Sequence, residues 1–210
     1  MLNQTYKKLL RHFGPQHWWP GDTPFEIAVG AVLTQNTNWQ NVERAIANLK
    51  RARALNAKRI HSMRPAELAE LIRPAGYFNV KAKRLKNFVG YLVESHGGSM
   101  ARMARGDMDT LRHGLLSVNG VGPETADSIL LYALEKPTFV IDAYTKRALS
   151  RHGFLPYEEG YEEYRALFMQ GLAPDVPLYN EYHALFVALG KHLCRPRNPL
   201  CSECPLEGLG

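Results

Sequence analysis

A tight glycine turn sits between two apolar helical stretches of this chain, in the run Leu116-Ser117-Val118-Asn119-Gly120-Val121-Gly122-Pro123-Glu124-Thr125-Ala126. Gly120 and Gly122 admit backbone angles closed to other residues and put no side chain over the main chain. The helix that follows opens with N–H groups that lack intrahelical partners and carry partial positive charge, which makes an anion site. The glycines alone suit a plain helix–turn–helix corner equally well. The apolar flanks, Leu116 before and Ala126, Ile129 and Leu130 after, favour a hairpin that holds phosphate. Downstream, the apolar run 138–141 ends at Asp142, eighteen residues beyond Glu124, where a new helix would begin.

Nearly every other segment carries helical periodicity. Thr23-Pro24-Phe25-Glu26 is a helix start, with Thr as N-cap, Pro in the first position and Glu in the third. Ile27, Val29, Val32 and Leu33 then supply apolar faces, and Trp39, Val42, Ala45, Ile46 and Leu49 recur at helical spacing. Further helices are read over 64–72, from Lys81 through Val93, over 109–116 and 126–134 around the glycine turn, and over 143–150, 161–171 and 178–192. No period-two pattern reaches useful strand length, and 138–141 is β-branched but connector-sized. No repeat or long linker divides the chain, so any lobes must form by the chain crossing back.

The 210 residues, 45% of them hydrophobic, can bury the core of one large domain or two small ones. A net charge of +6 suits a polyanionic partner without requiring one. The start lacks the apolar core of a signal peptide, and no apolar run approaches the ~20 residues of a membrane span. A cytoplasmic protein is expected. The three cysteines crowd into the last seventeen residues, which reads as a metal or cluster site rather than a disulfide framework.

The glycine hairpin, with Thr125-Ala126 after it and Asp142 beyond, resembles the helix-hairpin-helix DNA glycosylases of the endonuclease III superfamily. Gly30-Ala31-Val32-Leu33-Thr34-Gln35-Asn36-Thr37 resembles that family's first helix and the loop that probes the duplex. Gly76-Tyr77-Phe78-Asn79-Val80-Lys81-Ala82 resembles its Gly-aromatic-Asn-Lys-Ala turn, and the cysteines resemble its terminal iron–sulfur loop. Each piece is weak, but four in the right order over nearly the whole chain are specific.

The resemblance implies that Asp142 is the catalytic carboxylate. Breaking an N-glycosidic bond builds positive charge on the sugar, which a nearby carboxylate stabilises while orienting the attacking water. From the residues alone Asp142 is equally an N-cap for the helix through Arg147, and both roles can hold. Bifunctional members carry a lysine just after the hairpin that attacks the sugar C1′ and permits strand cleavage. This chain has Glu124 there, and a carboxylate cannot form an imine. A glycosylase without efficient lyase activity is therefore expected. The charge of Glu124 near phosphates has no account in the sequence. Lys146 is a substitute amine or, more simply, a phosphate or surface contact.

His17-Trp18-Trp19-Pro20 offers two flat π surfaces near a polar loop. Trp18 and Trp19 can stack an extruded base, with a cation–π gain for a charged, alkylated purine. Otherwise they staple the N-terminal arm to the core. Together with 33–39 they resemble the 3-methyladenine DNA glycosylase III branch. By the same resemblance Gln35 fills the gap left by the flipped base; alternatively, Gln35 and Asn36 simply end a helix. Tyr77 acts on the opposite strand or is half-buried. Lys81, Lys83, Arg84 and Lys86 form a basic run that is either a solvated face or a DNA contact.

Cys194, Cys201 and Cys204 give C-x6-C-x2-C, a spacing that can wrap a small cluster, and the resemblance implies a [4Fe–4S] cluster of structural role. The resembling family adds a fourth cysteine at the position of Gly210. Either the fourth ligand is another group or solvent, or the chain's end is cut short or altered, or the cluster is lost, leaving idle thiols or a zinc site with His192. Arg195 and Arg197 either meet a phosphate backbone or stay solvated.

The expectation is an all-α, two-lobed helix-hairpin-helix fold. One lobe spans 24–136 with the hairpin. The other joins 1–23 to 137–210, with Asp142 and the cysteine loop. In this reading Gly120, Val121, Gly122 and Thr125 hold phosphates, Gln35 wedges the stack, Trp18 and Trp19 take the base, and Asp142 assists cleavage. The substrate is double-stranded DNA with a damaged base, met by a monomer. Two alternatives stand: an oxidised-pyrimidine glycosylase/lyase, and a non-catalytic DNA-binding or damage-sensing protein.

Overall fold

A computed structural model describes residues 1–18 and 21–209; Trp19, Pro20 and Gly210 lie outside the described residues. In chain order its helices are α1 (Leu2–Phe13), α2 (Pro24–Leu33), α3 (Trp39–Arg51), α4 (Ala57–Ser62), α5 (Pro65–Leu71), α6 (Phe78–His96), α7 (Met100–Met103), α8 (Met108–Ser117), α9 (Pro123–Ser128), α10 (Ala143–Arg151), α11 (Tyr161–Gly171) and α12 (Val176–His192). No strand occurs among the described residues, so the protein is all-α as the periodicity implied. Residues 137–142 are an extended connector. Among the described residues no helix is long and apolar enough to cross a membrane.

The helix starts follow from side-chain chemistry. Thr23, Asn38, Asn56, Ser99, Asp107, Asp142 and Asp175 each accept a hydrogen bond from the backbone N–H three residues on. Each such cap contributes about 1 kcal/mol by satisfying a donor that the helix leaves open. Thr23 with Pro24 behaves as its sequence predicts, while the Glu26 carboxylate pairs with Lys50 at 2.8 Å.

The chain forms two compact units, one of Met1–Trp18 with Pro137–Gly210, the other of Trp19–Lys136. In the second unit α2 is apolar apart from Glu26 and buried at Ile27, Ala28, Val29, Val32 and Leu33. It packs on the π-helical turn Ile129–Ala133 that continues α9. Helix α6 buries Leu85, Phe88, Val89 and Leu92 against α4 and α5. The first unit has an aromatic core. Phe139 stacks on Phe168 at 3.6 Å, and Tyr182 stacks on Phe186 at 5.0 Å. Tyr179 and Tyr182 meet the Phe139 ring edge-on. Pairs of this kind add about 0.5–1.5 kcal/mol beyond the area they bury.

Three features depart from the sequence reading. The N-terminal arm is a helix, α1, whose buried face is only Leu2, Thr5 and Leu9, with Tyr6 edge-on to Tyr182. So thin an apolar stripe among Lys7, Lys8 and Arg11 gives little periodic signal. Helix α6 starts at Phe78 rather than Lys81, entered through Gly76 and Tyr77 at φ +70° and +45°. The basic run is not one solvated face. The buried Lys81 ammonium donates to the carbonyls of Leu33 (2.8 Å) and Ala75 (2.6 Å). Lys86 donates to His61 and Met63 carbonyls at the end of α4. Both place positive charge at helix ends, where the last carbonyls lack intrahelical partners.

Candidate active site

Asp142 ends the apolar connector and caps α10. Its Oδ1 accepts from the Thr145 N–H at 2.7 Å, so the capping role predicted for it is real and fixes the carboxyl's orientation. The other oxygen, Oδ2, lies 3.5 Å from Nε2 of His183, a residue of α12 that is buried. The carboxyl side chain is 14% exposed. Burial pushes the Asp142 carboxyl up, but the neighbouring His183 imidazole and the Thr145 contacts outweigh it and hold the group below the ordinary carboxylate range. An acid so held stays ionised at neutral pH.

Trp18 stands beside this pair, its ring centroid 5.9 Å from that of His183 and tilted by 39°. The structure thus gathers Trp18, His183 and Asp142 in one unit. Trp19, the other indole expected there, lies outside the described residues. Sequence reasoning missed His183. It sits among apolar positions of α12 where a histidine gives no motif, and only the packing of α10 on α12 brings it to the carboxylate. Lys146, on the Asp142 helix, donates to the Glu159 carbonyl at 2.7 Å and lies over the Tyr157 and Tyr164 rings. That ammonium is engaged by the scaffold.

In the other unit, the hairpin joins α8 to α9. Arg112 and Asp127 clamp the two helices with a two-bonded ion pair at 2.9 and 3.1 Å, the carboxylate fully buried. The Val121 N–H returns to the Val118 carbonyl, and Asn87 donates to the Asn119 carbonyl. Gly120 has φ +95°, and a Cβ there would lie 2.3 Å from Cγ of Arg84, so both its angle and its space require glycine. Gly122 is different: it caps α9 in an extended conformation, and nothing lies within 4 Å of the place a Cβ would take.

Gln35 belongs to the same cluster. Its amide donates to the Gly120 carbonyl and to the Thr125 hydroxyl, each at 3.0 Å, and its carbonyl accepts from Arg84. Thr125 is buried, and Val121 is buried too, at 5% exposure, with its N–H held by the Val118 carbonyl. Glu124 is exposed on the first turn of α9. Tyr77 is 72% exposed, not half-buried.

The cysteines form a third feature. Cys194, Cys201 and Cys204 line one cavity of about 190 Å³, several times the volume of a water molecule. Among the described residues no three metal-binding side chains converge on a single ion. A cavity lined by three cysteines offers the soft sulfur donors that an iron–sulfur cluster takes. Arg151 fixes the loop, donating to Cys194 Sγ (3.4 Å) and to the Arg195 and Pro196 carbonyls. Arg147 donates to the Cys194 carbonyl at 2.7 Å. His192, the sequence's candidate for zinc, is exposed and absent from the cavity wall.

An all-α scaffold with a clamped glycine hairpin, a buried carboxylate at a helix start and a three-cysteine loop defines a helix-hairpin-helix protein with an iron–sulfur loop. Residues 29–174 match the HhH-GPD superfamily base excision DNA repair proteins, and residues 194–209 match the iron–sulfur binding domain of endonuclease III. The chain belongs to the HhH-GPD superfamily, as a glycosylase of the endonuclease III group. It is 51% identical, over 99% of its length and 94% of the relative's, to a Methanocaldococcus jannaschii protein named as a DNA repair glycosylase. It is 28% identical to endonuclease III of Thermotoga maritima over 99% of this chain and 91% of that one. Among solved structures, the 3-methyladenine DNA glycosylase of H. pylori, bound to 1,N6-ethenoadenine, aligns with a TM-score of 0.76. Identity there is 31%, covering 90% of this chain and 94% of that one.

Proposed function

We propose that this protein is a monofunctional glycosylase that removes an alkylated purine, such as 3-methyladenine, from double-stranded DNA. The observation that carries the reading is the Asp142 carboxylate, fixed by Thr145 on one oxygen and faced by His183 on the other. A preorganised anion of this kind stabilises the positive sugar that forms as the base departs, and orients the water that attacks it. Trp18, beside His183, offers a flat surface to a cationic purine. The H. pylori relative, a 3-methyladenine glycosylase seen with a modified adenine, agrees with that substrate class.

The amines support the monofunctional mode. Glu124 stands where the family resemblance places a nucleophilic lysine, and Lys146 is held by a carbonyl and two rings. Hairpin backbone at Gly120 and Gly122 contacts the phosphate backbone, with Thr125 bracing the turn from beneath, and Gln35 enters the gap left by the base. The protein acts as a cytoplasmic monomer. Cys194, Cys201 and Cys204 hold a [4Fe–4S] cluster, which when bound supplies a covalent cross-link that shapes the loop carrying Arg195 and Arg197.

A panel of duplexes, each with one defined lesion, tests the reading with wild type and Asp142→Asn. Release of free alkylated adenine by wild type alone is expected, with no borohydride-trapped adduct. Trapping on an oxidised pyrimidine would replace it with the glycosylase/lyase reading. Equal behaviour of wild type and variant would replace it with a non-catalytic one.

A further inference from the structure

The cysteine cavity contains a fourth donor. His152 caps the C-terminal end of α10 and lines the same 190 Å³ space as Cys194, Cys201 and Cys204, with its Nε2 3.7 Å from Cys204 Sγ. Its backbone is anchored next to the loop, because the preceding residue, Arg151, binds both the Cys194 thiol and two loop carbonyls. A cubane has four irons, each needing one ligand from the protein or solvent, and Cys194, Cys201 and Cys204 serve three of them.

We propose that His152 is the fourth ligand, giving a Cys3His cluster; the inference rests on the cluster reading above. Two other groups compete. Glu207 lines the cavity but is an exposed carboxylate, a hard oxygen donor, whereas imidazole suits iron among thiolates. His192 is exposed and outside the wall. The ring of His152 stands at the cavity wall with its nitrogen beside one cysteine sulfur, and turning it off Cys204 into the cavity would present that nitrogen to an iron of its own. Histidine ligation changes one iron's electronic environment relative to its three thiolate-bound neighbours, which spectroscopy reads directly.

The test uses the full chain, purified without oxygen. Iron and inorganic sulfide are measured first, then Mössbauer spectra of the resting cluster and pulsed EPR of the reduced one, with and without isotope-labelled histidine. Wild type should contain iron and sulfide in equal amounts, one distinct iron site and a nitrogen coupling that shifts with the label. His152→Ala should lose the coupling. His152→Cys should keep the cluster and lose both the coupling and the distinct iron, which guards against mere misfolding of the alanine variant. Glu207→Gln and His192→Ala should keep the wild-type spectra. A wild-type cluster with no nitrogen coupling, or one that persists in His152→Ala, overturns the inference and leaves the cluster reading intact. Wild type without sulfide-matched iron overturns both.

Discussion

Asp142 and His183 face each other across 3.5 Å in a buried setting, one at the start of α10 and the other within α12. The carboxylate is thereby kept ionised, and its free direction is set by the Thr145 N–H that holds the opposite oxygen. Each half of the arrangement can be removed separately.

Asp142→Asn preserves the cap, since asparagine serves as well as aspartate at that position, and it removes the negative charge. Single-turnover excision of the preferred lesion should fall by about 10²–10⁴-fold, the usual scale for a positioned acid–base group. Thermal unfolding should stay within about 1 kcal/mol of wild type. Asp142→Ala should lose activity equally and lose the cap's stability as well.

His183→Leu removes the partner that offsets burial. The Asp142 carboxyl, now dominated by desolvation, should titrate at higher pH. The acid limb of the excision–pH profile should move upward, and an unmoved limb would show that His183 does not act on the carboxylate. In wild type the sign is opposite. With the folded value below the ordinary 3.8, this carboxyl's stabilisation is complete above that value. It is lost as pH falls through the folded value.

Gly120→Ala and Gly122→Ala should separate folding from binding. At Gly120 the added methyl meets Arg84 at a positive φ, so unfolding should shift by about 1 kcal/mol or more. At Gly122 the methyl enters open space on extended backbone, and stability should hardly change. If the Gly122 amide approaches a phosphate, that same methyl should weaken binding to duplex DNA in a titration, while the melting temperature stays put. Unchanged affinity would remove the hairpin from the interface.

Lys81→Met tests the buried ammonium. Losing its bonds to the Leu33 and Ala75 carbonyls should destabilise the protein by about 1–3 kcal/mol. Desolvation, aided by Arg84, pushes the amine from 10.5 down to about 8. Between those values the unfolded chain binds more protons than the folded one, so this residue's contribution to stability should rise with pH. Denaturant titrations of wild type and variant between pH 8 and 10 should show the difference growing.

The sequence by itself determined the all-α class, the caps at Thr23 and Asp142, the glycine turn and the cysteine loop, because these depend on neighbours a few residues apart. Periodicity, capping oxygens and a positive-φ glycine are local chemistry. Tertiary structure decided what depends on distant partners. It placed His183 beside Asp142, turned Gln35 onto the hairpin, converted Lys81 and Lys86 from an apparent basic face into caps, and brought His152 into the cysteine cavity. None of these leaves a signal in spacing, since each pairs residues many positions apart through the packing of one helix on another. A polar group's role is fixed by which unsatisfied atom that packing sets in front of it.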